Sequence, residues 1–342
     1  MSVDRLSRRR ALTGLSTVGL LSVVGCLGDS RQLTVGVGPL GSRSHQAGHA
    51  LAVAADRHSD QLSVRVESGG PPSHRLYAVS NDEMAGAGVD NTTLYRASEG
   101  RGVFELDPVA EPPHQGFAYG FREQYWLAVG DRATAPESTA ALADRVVYPG
   151  QPSEPSRLVT EQLLRDAELW DTIEVDNRPQ ADVPAAVDQQ AVDWLAAVQH
   201  GGQQLADWVQ AVDDRVGDRL AAVPPGPSLQ TAIDDAPNAL ARNIEPVGWA
   251  NAELGESVDG WAVPMQWLWS PSADPEAVAE LTRIAAEQKS TLREVDPLAV
   301  GGDPERLAAS VIDELAVHEG TAEAFDALGV RDSDWTVGDA VD

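Results

Sequence analysis

Hydrophobic positions in the first third of the chain alternate between strand and helix periods. Residues 33–38 (LTVGVG) and 84–89 (MAGAGV) are short apolar runs, and residues 61–67 (QLSVRVE) alternate in polarity, so all three predict strands. Residues 44–58 place alanine and leucine at three- and four-residue spacing, which predicts a helix, and another is predicted near 73–80. This order is typical of a parallel α/β sheet.

The alternation continues less regularly in the rest of the chain. Strands are predicted at 125–129, 145–148 and 263–270. A helix and then a shorter strand are predicted before residue 199. Further helices are predicted for these segments: 138–143, 156–164, 203–212, 275–287, 304–316 and 321–328. Residues 226–260 are rich in Pro and Asn and give no clear prediction.

The N-terminal segment has the pattern of an export signal. Three arginines at 8–10 precede an apolar run over 11–25, and Cys26, the only cysteine, follows directly. A charged start, a short apolar run and a small residue before the break are typical of a secretion signal, and consecutive arginines of its twin-arginine variant. A cysteine at that point can carry a diacylglycerol. We predict a twin-arginine lipoprotein signal over 1–25 and a lipidated tether over 26–31.

A single membrane-spanning anchor is the alternative for this segment. Its apolar run covers 15 residues, whereas a bilayer-spanning helix requires ~20. A lipid anchor followed by a polar linker tethers a protein without spanning the membrane. The expected location is therefore the cell surface, on the outer face of the cytoplasmic membrane.

The charge balance is strongly acidic. The chain has 25 Lys and Arg against 53 Asp and Glu, a formal net charge of −28, and Lys289 is its only lysine. This composition is typical of halophilic proteins, because at molar salt the Debye length falls to about 3 Å and carboxylate repulsion is screened. It disfavours nucleic-acid partners and anionic membrane faces. An anionic ligand would need local donors, since the overall field opposes it.

The remaining composition disfavours both disorder and catalysis. Hydrophobic residues make up 42% of the chain, with nine tryptophans, which favours a folded core. After lipidation of Cys26 no cysteine is left for a disulfide, a nucleophile or a metal. The sequence has no G-x-S-x-G, H-E-x-x-H or P-loop motif, so we predict neither enzyme activity nor a cofactor. His45 and His49 share a helix face but have no close His or Cys partner, so no metal site is predicted.

Four segments, taken in order, resemble one family. They are 38–45 (GPLGSRSH), 87–95 (AGVDNTTLY), 149–157 (PGQPSEPSR) and 315–325 (LAVHEGTAEAF). Their content and order are similar to the TAXI family of TRAP-transporter solute receptors. Two departures fall in loops: Arg43 and Ser44 stand where the family usually has tyrosines, and proline and Glu154 replace a Gly-Ser-Gly-Thr pattern. The family's usual ligands are therefore not carried over, and if Glu154 faces the cleft, a ligand with an ammonium group would be favoured.

The resemblance implies a fold class and a domain organisation. The implied class is α/β, a two-lobed type II periplasmic-binding-protein-like fold with mostly parallel sheets and flanking helices. The expected divisions are the first part of lobe 1 over 32–121, lobe 2 over 122–262, and the return of lobe 1 with C-terminal helices over 263–342.

The resemblance also implies a function. It is that of an extracytoplasmic solute-binding lipoprotein that captures a small organic anion, a carboxylate or an amino acid, between its lobes. The captured solute would be delivered to the subunits of a TRAP-type membrane permease. Two alternatives stay open: a receptor for another transporter or sensor, and a surface lipoprotein of this fold that has lost solute binding.

Candidate ligand-binding residues lie in loops after predicted strands, where two-lobed α/β proteins bind their ligands. Free backbone N–H groups at a helix start favour an anion, and arginine can hold a carboxylate in a bidentate fork. We predict that a carboxylate lies between one loop of each lobe. The predicted ligand-binding residues are Ser42, Arg43 and Ser44 from lobe 1, Ser153, Ser156 and Arg157 from lobe 2, Asn91 and Thr92 for the neutral part of the ligand, and His200.

Several of these residues have a structural alternative. Ser44 and Ser156 suit helix N-caps, since serine is a preferred capping residue. Arg43 and Arg157 suit ion pairs with the many surface acids, and Asn91 suits a strand end.

Histidines and tryptophans also leave two interpretations open. His200 is either a ligand donor or an ordinary loop residue, and His318 is interpreted as a packing or turn residue. Trp261, Trp267 and Trp269 flank the predicted lobe crossing and are predicted to pack in the core or hinge, with an apolar pocket wall as the alternative.

Overall fold

The computed structural model describes residues 31–152 and 154–338. The predicted signal, the lipidation site Cys26 and all but the last residue of the tether lie outside this part of the chain. Within the described residues, no helix has both the length and the apolar character needed to cross a membrane.

Helices and strands alternate along the chain. The N-terminal elements are β1 (Arg31–Val37), α1 (Arg43–His58), β2 (Leu62–Ser68), α2 (Pro72–Ser80), β3 (Gly86–Asp90) and α3 (Asn91–Ser98). The middle elements are β4 (His114–Val129), β5 (Val146–Tyr148), α4 (Pro155–Asp166), β6 (Glu174–Val175), α5 (Val183–Asp188), β7 (Trp194–His200), β8 (Gln204–Leu205), α6 (Asp207–Val216), β9 (Leu220–Val223), α7 (Pro227–Asp234) and β10 (Leu240–Ile244). The C-terminal elements are β11 (Val258–Trp269), α8 (Pro275–Glu287), α9 (Lys289–Val295), α10 (Pro304–Ala308), β12 (Val317–His318), α11 (Glu319–Ala327) and β13 (Val337–Gly338).

Two groups of three parallel strands define the two lobes. In lobe 1, β1 lies between β2 and β3 and is parallel to both. In lobe 2, β5 lies between β6 and β7 and is again parallel to both. Parallel neighbours need a crossover connection, which α1 and α2 provide in lobe 1 and α4 and α5 in lobe 2.

Two long antiparallel strands, β4 and β11, join the lobes. Residues 265–269 of β11 pair with β3 of lobe 1, whereas residues 122–128 of β4 pair with β7 of lobe 2. The register between β4 and β11 shifts on both sides of Gln266, and such irregularities bend strands. The two-lobed α/β fold predicted from the sequence is confirmed, with parallel strands in each lobe and antiparallel pairing where the lobes join. The predicted lobe boundaries fall within β4 and close to the middle of β11.

Tryptophans of β11 pack against β4 in the core. Trp261, Trp267 and Trp269 are each at most 1% exposed. The ring centroid of Trp267 lies 5.1 Å from that of Tyr119, and the centroid of Trp261 lies 6.0 Å from that of Trp126. The prediction that these tryptophans pack in the core or hinge is confirmed by their burial. Their packing fixes the two strands against each other.

Buried amide side chains also connect the two long strands. Gln266 of β11 donates from Nε2 to Asn91 Oδ1 at 2.8 Å and to the Ser310 carbonyl at 3.0 Å. Gln115 of β4 donates to the Ile312 carbonyl at 3.0 Å and accepts from the Ile312 N–H at 2.8 Å. Because buried polar groups need partners, these bonds fix the 309–316 segment against both strands.

The same bonds explain an incorrect prediction. A helix was expected over 304–316, but only Pro304–Ala308 is helical. Backbone groups of Ser310 and Ile312 bond to glutamine side chains instead of continuing a helix. Tertiary hydrogen bonds therefore outweigh the local helix propensity here.

A buried carboxylate organises the loop before β11. Asp213 on α6 is fully buried, and its side chain accepts from the N–H groups of Ala250 at 2.7 Å, Asn251 at 3.1 Å and Ala252 at 2.8 Å.

We predict that Asp213→Ala lowers the free energy of unfolding by about 3 kcal/mol, because several N–H groups lose their acceptor. Chemical denaturation in molar KCl measures this. Asp214→Ala is the matched control at an exposed position, and equal effects of both variants would contradict the prediction.

His318 is a capping residue, in agreement with its interpretation as a packing or turn residue. Its side chain is 1% exposed, and its Nδ1 accepts from the Gly320 N–H at 3.2 Å at the start of α11. Burial, followed by the nearby His114, lowers the pKa of His318 from 6.5 to about 4. The ring is therefore neutral in the folded protein near pH 7.

This lowered pKa predicts a pH dependence of stability. As the pH falls below 6.5, the unfolded chain binds a proton at His318 before the folded chain does, so stability is lost between pH 6.5 and 4. The loss from this residue should approach about 3 kcal/mol below pH 4. His318→Asn keeps an acceptor for the cap but does not titrate, so its unfolding free energy should fall less steeply over this range. Parallel slopes for the variant and the unmodified protein would contradict the prediction.

Candidate functional site

A cavity of about 660 Å³ lies between the lobes. Its walls include Arg43 at the start of α1 in lobe 1 and Ser156 at the start of α4 in lobe 2. Each helix follows the central strand of its lobe, β1 or β5, where the chain runs out of the sheet. Ligands of open α/β sheets bind at such positions, outside the carboxyl ends of the strands. The topology thus brings two equivalent helix starts to one cleft.

Arg122 and His200 contribute to the cavity from adjacent strands. They are register partners in the antiparallel β4–β7 pair, so their side chains point to the same face of the sheet. Both line the cavity, as does Val198 two residues before His200. The neighbours of Arg122, Phe121 and Glu123, point to the opposite face. Strand alternation therefore places one arginine of the crossing strand in the cleft.

Arg43 is held by a buried acid. Its Nη1 pairs with Asp296 Oδ1 at 2.6 Å and also donates to Gln46 Oε1 at 3.2 Å. Asp296 is fully buried and also accepts from the Leu298 N–H at 3.1 Å. Arg43 is thus fixed in orientation at the lobe 1 side of the cavity.

Three nitrogen atoms at this site are buried without a hydrogen-bond partner among the described residues. They belong to Arg43 (Nη2), Arg122 (Nη1) and His200 (Nδ1). Burial, then the positive charges of Arg122 and Arg43, lower the pKa of His200 from 6.5 to about 4. The imidazole is therefore neutral near pH 7, while the two guanidinium groups stay charged. Buried donors without partners are unfavourable by about 1–3 kcal/mol each, so the two guanidinium nitrogens are suited to an acceptor-rich group.

The lobe 1 serines predicted to bind ligand serve the turn before α1. Ser42 is the N-cap, and its Oγ accepts from the His45 N–H at 3.3 Å. Ser44 is buried, and its Oγ accepts from the Gly38 N–H at 2.9 Å. Neither lines the cavity, so the structure brings only Arg43 of this predicted trio to its wall.

Asn91 and Thr92 lie away from the cavity wall. Both are at most 2% exposed, and neither lines the cavity. Asn91 donates from Nδ2 to the Ser310 carbonyl at 2.8 Å, within the amide network of the crossing strands. Strand β3 ends directly before them at Asp90, which is the N-cap of α3. The Asp90 side chain accepts a hydrogen bond from the Thr93 N–H.

The three ligand-binding residues predicted in the lobe 2 loop differ in their position relative to the cavity. Ser153 lies outside the described residues. Ser156 is buried and lines the cavity, and it is not the N-cap of α4, since Glu154 occupies that position. Arg157 does not line the cavity: its Nη1 donates to the Gly150 carbonyl at 3.1 Å, and its guanidinium lies 4.9 Å from the ring centroid of Trp170.

Sequence reasoning missed Arg122, the arginine at the centre of the site. The available signal was the charged pair Arg122–Glu123 inside residues 116–129, a stretch that is otherwise uncharged and, apart from Gln124, mostly apolar. Glycines at 116 and 120 obscured the strand pattern, so only 125–129 was predicted as a strand. A lone charged pair within a buried strand of 16 residues indicates a functional position.

In the described part of the chain, no group of three or more His, Cys, Asp or Glu side chains is placed to hold a metal ion. His45 and His49 lie on one face of α1 with ring centroids 4.6 Å apart.

No family model matches the chain, and comparison with curated proteins gives no match. Solved structures of extracytoplasmic solute-binding proteins are similar to it at low identity. A putative sulfonate ABC-transporter protein, the periplasmic sulfonate-binding protein SsuA from Methylobacillus flagellatus, is 12% identical, with 91% of this chain and 98% of that chain covered and a TM-score of 0.49. A TctC solute-binding protein from Polaromonas is 15% identical, with 78% and 87% covered and a TM-score of 0.48. A TRAP periplasmic solute-binding protein from Rhodobacter sphaeroides is 12% identical, with 91% and 86% covered and a TM-score of 0.43.

The names of these neighbours include an ABC-transporter protein and a TRAP protein. Because every identity is below 25% and every TM-score below 0.5, they assign neither a ligand nor a transporter to this chain. The two-lobed architecture rests on the chain's own strand order and on its two crossing strands.

The electrostatics of the cleft predict the titration of His200. Its pKa should be about 4 in the ligand-free protein. Arg122→Gln should raise this pKa, because a neighbouring positive charge that disfavours the imidazolium is removed. NMR of the histidine ring protons across pH 3–8 in molar KCl measures both values. Arg65→Gln, at an exposed arginine on β2, should leave the value unchanged, and a pKa near 6.5 in the unmodified protein would contradict the prediction.

Proposed function

We propose that this protein is an extracytoplasmic solute-binding lipoprotein that captures a small organic anion between its two lobes. The observation that carries the proposal is the set of buried, unpartnered nitrogens of Arg43, Arg122 and His200 around one interlobe cavity. In a chain of net charge −28, two arginines line this one cleft, one from lobe 1 and one from the crossing strand. A carboxylate supplies about four lone-pair sites and can accept from both guanidinium groups.

Binding in this cleft would be coupled to closure. The cavity is lined from lobe 1, from the crossing strand β4 and from lobe 2. A ligand that contacts both lobes only when they approach shifts the equilibrium towards the closed form. Hinge closure of this kind is the usual motion of two-lobed binding proteins. The expected hinge is the β4–β11 pair, the main connection between the lobes.

The partner and the location are further parts of the proposal. The resemblance of the four segments to the TAXI family favours delivery to a TRAP-type membrane permease. The twin-arginine pattern and Cys26 favour export and a lipid anchor on the outer face of the cytoplasmic membrane.

Ligand-induced stabilisation tests the proposal. We expect the melting temperature of residues 27–342 in molar KCl to rise with one class among carboxylates, dicarboxylates and amino acids, because a ligand at 100 times its Kd stabilises by about 2.7 kcal/mol. Arg122→Gln should remove the shift, since it removes a charged donor from the cavity. Arg65→Gln is the control outside the cleft. A folded protein that no compound stabilises would contradict the proposal and favour a surface lipoprotein that has lost solute binding.

A further inference from the structure

The two sides of the cleft carry opposite charge. Its positive groups, Arg43 and Arg122, come from lobe 1 and from the crossing strand β4. Lobe 2 contributes two carboxylates to the cavity wall, Glu154 before α4 and Asp207 at the start of α6. A ligand that bridges the lobes therefore meets cations on one side and anions on the other.

Within the part of the chain that the structure describes, the side chain of Glu154 makes no hydrogen bond that holds the fold. It occupies the N-cap position of α4, but its side chain makes no capping hydrogen bond. Serine, threonine, aspartate and asparagine are the preferred residues there. The Glu154 side chain is partly buried and forms neither an ion pair nor a hydrogen bond with the described residues. A partly buried carboxylate that neither caps nor pairs is available to a ligand.

Asp207 adds a second acceptor beside an aromatic ring. It is exposed and likewise lacks an ion-pair partner within the described ranges. Its neighbour Trp208 also lines the cavity and packs edge-on against Tyr148, with ring centroids 5.4 Å apart. Carboxylates and an indole face are both suited to a positively charged nitrogen.

Charge complementarity restricts the ligand class. A purely anionic ligand would bring its charge close to Glu154, and this repulsion would act at short range even at molar salt, where only distances beyond about 3 Å are well screened. A purely cationic ligand would leave the buried nitrogens of Arg43 and Arg122 without acceptors. A ligand with both charges satisfies both sides of the cleft.

We infer that the ligand is amphoteric, with an acid group bound by Arg43 and Arg122 and an ammonium group bound by Glu154, assisted by Asp207. This inference rests on the proposed function and specifies its ligand class.

Matched ligand pairs test the inference. Isothermal titration in molar KCl would compare glutarate with glutamate, succinate with aspartate and propionate with alanine, because each pair differs by one α-ammonium group. In at least one pair, the amino member should bind about tenfold more tightly or better, as expected for one charge-assisted hydrogen bond. Glu154→Gln should remove most of this preference, whereas Arg122→Gln should weaken both members of the pair. Glu174→Gln removes the same charge from an exposed position of lobe 2 that does not line the cavity and should change neither affinity.

The outcomes separate the two proposals. Equal affinities within every pair that binds would overturn the amphoteric assignment and leave the solute-binding function intact. The same holds if Glu154→Gln weakens both members of a pair equally. A folded protein that binds no member of any pair would overturn this inference together with the binding of small carboxylates. Thermal melts of each variant show that it is folded at the titration temperature.

Discussion

The antiparallel pairing of β4 with β11 is the constraint on which the rest of the structure depends. Each strand belongs to both lobes, so neither lobe's sheet is complete without chain that also passes through the other. Buried tryptophans and glutamine side chains pack where the two strands meet. The register shifts beside Gln266 lie where β11 enters lobe 1. A change in the angle between the lobes has to be absorbed by these strands, since the packed interior of each lobe resists deformation.

The same strand carries the central cation of the site. Arg122 lies where β4 passes from one lobe to the other, and its register partner His200 ends β7. Burial, and then the two guanidinium groups beside that imidazole, lower its pKa and keep it neutral. Arg43 has Asp296 as a counter-ion, whereas Arg122 has none among the described residues, in a chain with 53 acids. The fold thus leaves one partly buried positive charge uncompensated at the point where the lobes meet.

The sequence predicted the fold better than the site. Helix and strand periods are local properties, so the alternating strands and helices of the first third of the chain and helix α8 could be recognised directly. The long strand β4 could not, because glycines and a charged pair interrupt its apolar pattern. The helix expected up to residue 316 ends at Ala308 because glutamines far away in sequence take its backbone hydrogen bonds. Non-local hydrogen bonds of this kind leave no trace in local periodicity.

The candidate site shows the same division between local and non-local information. Arg43, Ser156 and His200, which line the cavity, were predicted as ligand-binding residues because loops after strands are the expected ligand positions in this fold. The other predicted residues that the structure describes were chosen for the same reason. In the structure they cap helices, bond to backbone groups or lie in the core. Arg122 was missed because its place in the cleft follows from strand register, which joins residues 122 and 200 across the sheet.

The charge division of the cleft bears on how binding could drive closure. An acid group on Arg43 and Arg122 would contact lobe 1 and the crossing strand, whereas the lobe 2 residues that line the cavity include no arginine or lysine, and the His200 ring is neutral. Such a contact would favour the closed form weakly, because little of it depends on the approach of the lobes. Glu154 belongs to lobe 2, so an ammonium group bound there would add an attraction that is complete only when the lobes are close. A ligand with both charges would therefore couple binding to closure more strongly than a simple anion, with the β4–β11 pair as the element that bends.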